Sequence, residues 1–257
     1  MFSIKRLVCL LLCLSLLGGT ALAESVELTV FAAASLTEAL TEIAEQYRAV
    51  SPDVTISFNF DSSGTLKTQI EEGASCDLFL SAAQKQMNQL AELEAILPDS
   101  RVDLLENQVV LAVPDGNPKG IESFADIAGA ELIALGNEDV PVGAYSIEIL
   151  THLGLLDALS AGGRITYGSN VKEVTTQIAE ASVDCGIIYA TDAASAGLTV
   201  VDAATAEMCS PAIYPAAVLA DSAHPQAAQA FLDYLTGEAA AQVFRRVGFA
   251  MVSPDAE

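Results

Sequence analysis

Short apolar runs alternate along the chain with segments in which apolar residues recur every three or four positions. Residues 26–33 are largely apolar, and residues 36–50 then place Leu40, Ile43 and Tyr47 at helical spacing. A short apolar run is typical of a buried strand, and this spacing is typical of a helix that buries one face. Because the alternation recurs along the chain, the sequence predicts an α/β fold with mostly parallel sheets covered by helices on both faces.

The same pattern predicts the remaining elements. Further strands are expected at residues 54–60, 77–80, 108–113, 131–135, 185–189, 198–201 and 213–220. Further helices are expected at residues 66–72, 84–93, 123–127, 145–153, 171–181, 226–234 and 238–246. If the chain forms two lobes, it crosses between them in ordered strands. We place lobe 1 at residues 24–108 and 219–257, and lobe 2 at residues 109–218.

The first residues have the order of a secretory signal peptide. Lys5 and Arg6 precede the apolar stretch 7–17, and small residues follow up to Ala23. This order predicts a signal peptide over residues 1–23 and an extracytoplasmic or periplasmic protein. The apolar stretch is short for a membrane span. Its two cysteines lack the small preceding residue of a lipoprotein signal, so we expect no lipid anchor.

The charge balance excludes some partners. The chain has 34 acidic and 11 basic residues, a net charge of −23. Such a chain repels nucleic acid and anionic lipid, and it has no basic cluster that would overcome the repulsion. Beyond the leader, Cys76, Cys185 and Cys209 form no disulfide framework. Whether any two of them pair is left open.

Four helix starts share one local pattern, in which an apolar strand or tight turn ends in small or hydroxyl residues. A helix start presents backbone N–H groups without intrahelical partners and carries a partial positive charge. Several such starts aimed at one point would bind an anion without any Lys or Arg. The four segments are residues 34–36, 61–65, 140–145 and 168–171.

Ordinary capping could explain the same residues. Ser35 followed by Glu38 fits a capping box, in which the two side chains satisfy amides of one helix start. Ser62, Ser63 and Thr65 are common turn and cap residues. From these segments taken one at a time, capping and anion binding both remain open.

The segments in combination resemble a known family. The sequence reads FAAASL at 31–36, SSGTLKTQIEEGASCDLFLSA at 62–82, VPVGAYS at 140–146, CGIIYATDA at 185–193, YPAAVL at 214–219 and FLDYLTGEAAAQVFRRVGF at 231–249. In this order it resembles periplasmic molybdate-binding proteins, the capture subunits of ATP-binding-cassette importers. The resemblance implies a type II periplasmic binding protein, with two lobes joined by two crossover strands.

The resemblance also implies a ligand site, with hydroxyl donors from two serines and a tyrosine and backbone amides from two valines. It implies no cofactor and no direct protein ligand to molybdenum. The sequence departs from the family pattern at Asp61 and Glu38, which add negative charge near the site. By position, the implied ligands are Ser35, Ser63, Val142, Val171 and Tyr189.

These donors suit a fully deprotonated tetrahedral dianion, which offers only acceptors. We therefore expect high-affinity binding of molybdate, and of tungstate, by lobe closure and delivery to a membrane permease. Sulfate would have to be rejected on size, and phosphate would want a carboxylate, for which Asp61 is the one nearby candidate. We expect a monomer without enzymatic activity.

Three other functions fit the sequence less well. A serine hydrolase needs a base near its nucleophile, and the chain has only His152 and His224 and no Gly-x-Ser-x-Gly motif. A metal binder would show clustered ligands, whereas the tyrosines are dispersed. The sensor domain of a regulator is disfavoured by the leader and by the lack of a DNA-binding segment.

Overall fold

The computed structural model describes residues 25–252, which form two sheets flanked by helices. The predicted signal peptide, residues 1–23, lies outside the described residues. Within the described part of the chain, no helix is long and apolar enough to cross a membrane. The α/β prediction is confirmed, but the sheets are mixed rather than mostly parallel, since both contain parallel and antiparallel pairs.

Six strands form the first sheet, in lobe 1. They are β1 Val26–Ala33, β2 Val54–Asp61, β3 Leu78–Leu80, β4 Val102–Asn107, β10 Ala212–Val218 and β11 Ala250–Met251. Their spatial order is β2-β1-β3-β10-β4-β11. β1 is parallel to β2 and β3, whereas β10 is antiparallel to β3 and β4. The helices of this lobe are α1 Thr37–Val50, α2 Ser63–Glu71, α3 Gln84–Glu92, α8 Pro225–Thr236 and α9 Glu238–Val247.

Five strands form the second sheet, in lobe 2. They are β5 Val109–Val113, β6 Ile133–Gly136, β7 Ile165–Gly168, β8 Cys185–Tyr189 and β9 Thr199–Ala203. Their spatial order is β7-β6-β8-β5-β9. β6 is parallel to β7 and β8, whereas β5 is antiparallel to β8 and β9. The helices are α4 Pro141–His152, α5 Leu156–Ala161, α6 Val171–Ala179 and α7 Ala190–Ala196, with a 3-10 segment at Phe124–Gly129.

The antiparallel strands mark where the chain changes lobe. Only Gln108 separates β4 from β5, and residues 204–211 separate β9 from β10. β5 and β10 are the strands that enter a sheet directly from the other lobe, and each runs against its neighbours. Both crossing strands thus form antiparallel pairs, and the short strand β11 adds another to the first sheet, where it is antiparallel to β4.

One predicted lobe boundary needs correction. The sequence placed residues 109–218 in lobe 2, yet β10 pairs with β3 and β4 in the first sheet. Residues 212–218 therefore belong with lobe 1, and lobe 2 ends before β10. The strand is apolar throughout, so the hydrophobic pattern contained no signal for which sheet it joins.

Local sequence explains how the elements begin and end. In α1 the buried residues Ala39, Leu40, Ile43 and Tyr47 lie on one face, as the spacing predicted. The helix ends at Val50 and the next residue has a non-helical φ of −132°, because a proline at the following position disfavours helical backbone before it. The described cysteines, Cys76, Cys185 and Cys209, are all free.

Candidate functional site

Helix starts from the two lobes meet at the cleft between them. The Gly64 amide at the start of α2 donates to the Asp139 carbonyl oxygen, just before α4, over 3.0 Å. Asn170, which precedes α6, donates from Nδ2 to Asp61 Oδ1 at the end of β2, over 3.3 Å. α6 also packs on the short 3-10 turn Ala34–Leu36. Three of the predicted helix starts are thus held against the facing lobe.

Ser35 lies in the 3-10 turn between β1 and α1 and is buried. Its Oγ lies 3.0 Å from the Tyr214 hydroxyl oxygen. No side chain caps the turn or α1, whose N-cap position is Leu36. The capping-box alternative for Ser35 and Glu38 is therefore wrong, because the inserted turn moves Ser35 away from the N-cap position.

Ser62 and Ser63 have different roles. The Ser62 Oγ accepts a hydrogen bond from the Thr65 amide over 3.1 Å and so caps α2. Ser63 is fully buried, and its Oγ accepts from the Ala82 amide over 2.9 Å. A hydroxyl has one hydrogen to donate as well. Ser63 can therefore donate to a ligand while Ala82 fixes its position.

Val142 and Val171 lie in the first turns of α4 and α6, and both are buried. No side chain caps α4, and Pro141 at its first position has no N–H of its own to offer. At α6 the Asn170 side chain caps the Glu173 amide over 3.1 Å. The Val142 and Val171 amides are among the helix-start N–H groups that lack an intrahelical acceptor.

Tyr189 ends β8 and is almost completely buried. Its hydroxyl has no hydrogen-bond partner among the described residues. Burial raises the pKa of this hydroxyl well above its ordinary value, so it remains a donor at neutral pH. A buried hydroxyl without a partner costs about 1–3 kcal/mol. A ligand that accepted its hydrogen would remove that cost.

Tyr214 connects these residues, a role that its sequence context did not indicate. Its ring meets the Tyr189 ring edge-on, with the centroids 5.7 Å apart. Its hydroxyl contacts Ser35 and accepts a 3.3 Å hydrogen bond from Asn107 Nδ2, which also donates to Thr191 Oγ1 over 2.8 Å. The motif YPAAVL contains this tyrosine, but its apolar surroundings suggested only a strand. A buried tyrosine whose hydroxyl needs a partner was the available signal.

The structure places Ser35, Ser63, Val171 and Tyr189 at or directly beside contacts between the lobes, and Val142 lies three residues after Asp139, which takes part in one of them. Ser35 and Tyr189 both contact Tyr214. The other predicted ligands, Ser63, Val142 and Val171, are near neighbours in sequence of Gly64, Asp139 and Asn170, the residues that form the inter-lobe hydrogen bonds.

The two acidic departures from the family pattern are both engaged by donors. Asp61 Oδ1 accepts from the Ser62 amide over 2.7 Å and from Asn170 Nδ2. The Glu38 carboxylate accepts from Lys172 Nζ over 2.8 Å. Burial favours a higher pKa for Glu38, but Lys172, the Glu38 backbone amide and Ser195 together outweigh it, and the pKa of Glu38 is lowered. Both carboxylates are therefore hydrogen-bonded to protein donors.

Two basic side chains lie nearby, and both are paired with acids. A cavity of about 250 Å³ beside Ser35 is bordered by Arg246, whose guanidinium pairs with Glu42. Lys172 pairs with Glu38 and Asp192. Within residues 25–252 no group of three or more His, Cys, Asp or Glu side chains could hold a metal ion.

Comparisons with known proteins identify the family that has this architecture. The family described as bacterial extracellular solute-binding protein matches residues 28–250. The chain belongs to this family. The molybdate-binding protein ModA of Escherichia coli is 36% identical over 240 residues, covering 90% of this chain and 92% of ModA. The family resemblance drawn from the sequence motifs is confirmed.

Two further relatives match this chain over a similar share of its length. YvgL of Bacillus subtilis, which has the provisional name of an ABC transporter substrate-binding lipoprotein, is 38% identical over 239 residues, covering 92% of this chain and 91% of YvgL. The solved periplasmic molybdate-binding protein of Azotobacter vinelandii is 25% identical with a TM-score of 0.79, covering 88% of this chain and all of that one. The two-lobed solute-binding fold is therefore confirmed over the described residues.

Proposed function

We propose that this protein binds molybdate, and tungstate, outside the cytoplasm and delivers the oxyanion to an ATP-binding-cassette permease. The observation that carries the proposal is the buried Tyr189 hydroxyl, which has no partner among the described residues and lies beside the bonded pair Ser35 and Tyr214. An acceptor-only ligand would satisfy this donor. Relatives named as molybdate-binding proteins support the choice of ligand.

The proposed ligand set contains only donors. The hydroxyls of Ser35, Ser63 and Tyr189 and the amides of Val142 and Val171 can each donate one hydrogen bond to a tetrahedral dianion. Hydrogen bonds to a charged partner contribute about 1.5–3 kcal/mol each. Five such bonds total about −7.5 to −15 kcal/mol before the costs of ordering and association are subtracted, and micromolar to nanomolar binding, about −8 to −12 kcal/mol, lies within that gross range.

Lobe closure follows from where the donors lie. Two belong to lobe 1 and three to lobe 2, so a ligand held by all of them favours the closed arrangement. Hinge bending at the two crossings, Gln108 and residues 204–211, would open it. The closed form is then the one that a permease recognises.

We propose an extracytoplasmic location, supported by the leader and by the family description. The absence of a lipid anchor and the monomeric state remain predictions. One relative is named as a lipoprotein. Mass spectrometry of the exported chain would therefore test whether this protein is lipidated.

Sulfate and phosphate are the alternative ligands. Asp61 is the carboxylate that the sequence suggested for phosphate, but it already accepts hydrogen bonds from Ser62 and Asn170. For a hydrolase, His152 lies at the far end of α4 from the cleft, and the backbone of His224 bonds to Ser222. Ser35 and Ser63 contact Tyr214 and Ala82 instead of a histidine.

Isothermal titration with molybdate, tungstate, sulfate and phosphate tests the proposal. We expect submicromolar binding of molybdate and tungstate and at least about a hundredfold weaker binding of sulfate and phosphate. Tighter binding of sulfate or phosphate would replace the ligand assignment. No binding of any tetrahedral oxyanion would overturn the proposed function.

A further inference from the structure

A charged contact outside the proposed ligand set joins the two lobes. Glu38 on α1 of lobe 1 accepts hydrogen bonds from Lys172 Nζ at 2.8 and 2.9 Å, one to each carboxylate oxygen. It also accepts one from Ser195 Oγ over 3.1 Å. Lys172 and Ser195 belong to α6 and α7 of lobe 2. Glu38 is thus a lobe-1 acceptor for two lobe-2 donors, and we refer to these three residues as the latch.

Asp192 holds the lysine of the latch in place. Lys172 Nζ lies 3.1 Å from Asp192 Oδ1, and the Asp192 side chain is fully buried in lobe 2. Neither Asp192 oxygen meets the geometry of a hydrogen bond within the described residues, so the contact is an ion pair. A buried carboxylate is costly to leave without a counter-charge. We therefore expect Lys172 to keep this partner when the lobes open.

Opening the lobes would have unequal consequences for these contacts. The contacts of Glu38 with Lys172 and Ser195 cross the cleft, whereas the pair of Lys172 and Asp192 lies within lobe 2. Lys172 directly follows Val171 at the start of α6. The latch therefore holds one proposed amide donor against the lobe that contains Ser35.

We propose that Glu38 is a positioning residue, whose contacts with Lys172 and Ser195 hold the lobes closed around the bound oxyanion and slow its release. This inference rests on the proposed function. Contacts that form only on closure act mainly on the dissociation rate, whereas association is governed by diffusion into the open cleft. Removing them should therefore change koff more than kon.

Removal of the Glu38 charge has a second effect on affinity, opposite to the loss of the latch contacts. The Glu38 carboxylate is a negative charge near a site for a dianion, so removing it could tighten binding. Its charge is paired with Lys172, and its side chain is 46% exposed, so solvent and salt screen it further. We therefore expect the loss of the latch contacts to exceed the relief of repulsion.

Stopped-flow measurement of molybdate release from Glu38→Gln tests the latch, since the amide keeps the shape and removes the charge. We expect koff to rise about two- to tenfold, with kon changed by less than about twofold. The effect should shrink in high salt, because partly exposed ion pairs are screened. Glu38→Asp, which keeps the charge on a shorter side chain, should restore part of the slow release.

Glu71→Gln is the matched control, because Glu71 pairs with Lys67 within α2 and does not cross the cleft. It should leave koff unchanged. Unchanged or slower release from Glu38→Gln, with the wild-type chain binding molybdate, would overturn the latch alone. If the wild-type chain bound no molybdate, the proposed function would fail first and this inference with it.

Discussion

Replacing Gly64 with alanine tests whether the lobes close as the structure shows. A Cβ at this position would lie 2.3 Å from the Asp139 carbonyl oxygen and 2.8 Å from its Cα, both backbone atoms of the facing lobe. The nearest contact would have to lengthen by about 1 Å to reach ordinary separation. The substitution would also weaken the hydrogen bond from the Gly64 amide to Asp139, now 3.0 Å.

The magnitude follows from these two effects. Overpacking of a close contact costs about 1–3 kcal/mol, and the hydrogen bond contributes about 1 kcal/mol. Closure should therefore lose about 2–4 kcal/mol, which corresponds to about 30- to 1,000-fold weaker molybdate binding. The folded open form should not suffer, because Ala is favoured over Gly within a helix by up to about 1 kcal/mol.

Gly64→Ala is thus expected to weaken binding while leaving the unliganded protein equally or more stable. Titration calorimetry measures the first effect and thermal unfolding without ligand measures the second. Gly129→Ala is the control, since a Cβ at Gly129 meets nothing within 4 Å. Wild-type affinity in Gly64→Ala would show that the contact with Asp139 is absent from the ligand-bound form, which would contradict this prediction.

Three further predictions concern single side chains. Tyr189→Phe should weaken molybdate binding by about 1.5–3 kcal/mol without lowering the free energy of unfolding of the unliganded protein, because the hydroxyl has no partner to lose; calorimetry and denaturant unfolding check both. Ser35→Ala and Ser63→Ala should each weaken binding by about 1.5–3 kcal/mol. Ser62→Ala should instead cost about 1 kcal/mol of stability through the lost cap and leave affinity nearly unchanged; equal affinity losses in all three would contradict the division of roles. Burial raises the pKa of Asp192 to about 6 despite the neighbouring Lys172. The folded protein therefore holds this proton more tightly than the unfolded chain. As a result, the contribution of Asp192 to stability falls as pH rises from about 4 to about 6. Asp192→Asn should therefore gain stability relative to wild type over that interval, and a constant difference between unfolding free energies at pH 4 and pH 7 would contradict the assignment.

The parts of the fold that the sequence predicted are those with strong periodicity. The strands β1 and β8 were found because their apolar runs are buried along most of their length. Helix α1 was found because its apolar residues recur on one face. In these elements local pattern and tertiary packing favour the same structure.

Three of the elements that were missed lack such a pattern. β4 contains Asp103 and Glu106 among its apolar residues, and β7 is a four-residue edge strand that is only partly buried. α7 is composed mainly of small residues, which give no helical stripe. Their positions are decided by neighbours that are distant in sequence.

The candidate site divides in the same way. Helix starts with small and hydroxyl residues could be recognised locally, and so could their capacity to bind an anion. Which serine caps and which does not depended on contacts across the fold, such as Ser35 with Tyr214 and Ser63 with Ala82. The bond between Gly64 and Asp139 joins residues far apart in sequence, and no local pattern could have predicted it.

A crystal structure of the protein with molybdate tests the central claim most directly, because the anomalous signal of molybdenum locates the ion independently of the protein density. We predict a single molybdenum peak in the cleft, with its oxygens about 2.7–3.1 Å from the hydroxyls of Ser35, Ser63 and Tyr189 and the amides of Val142 and Val171. A peak elsewhere, or an ion held by Lys172 or Arg246, would contradict the account.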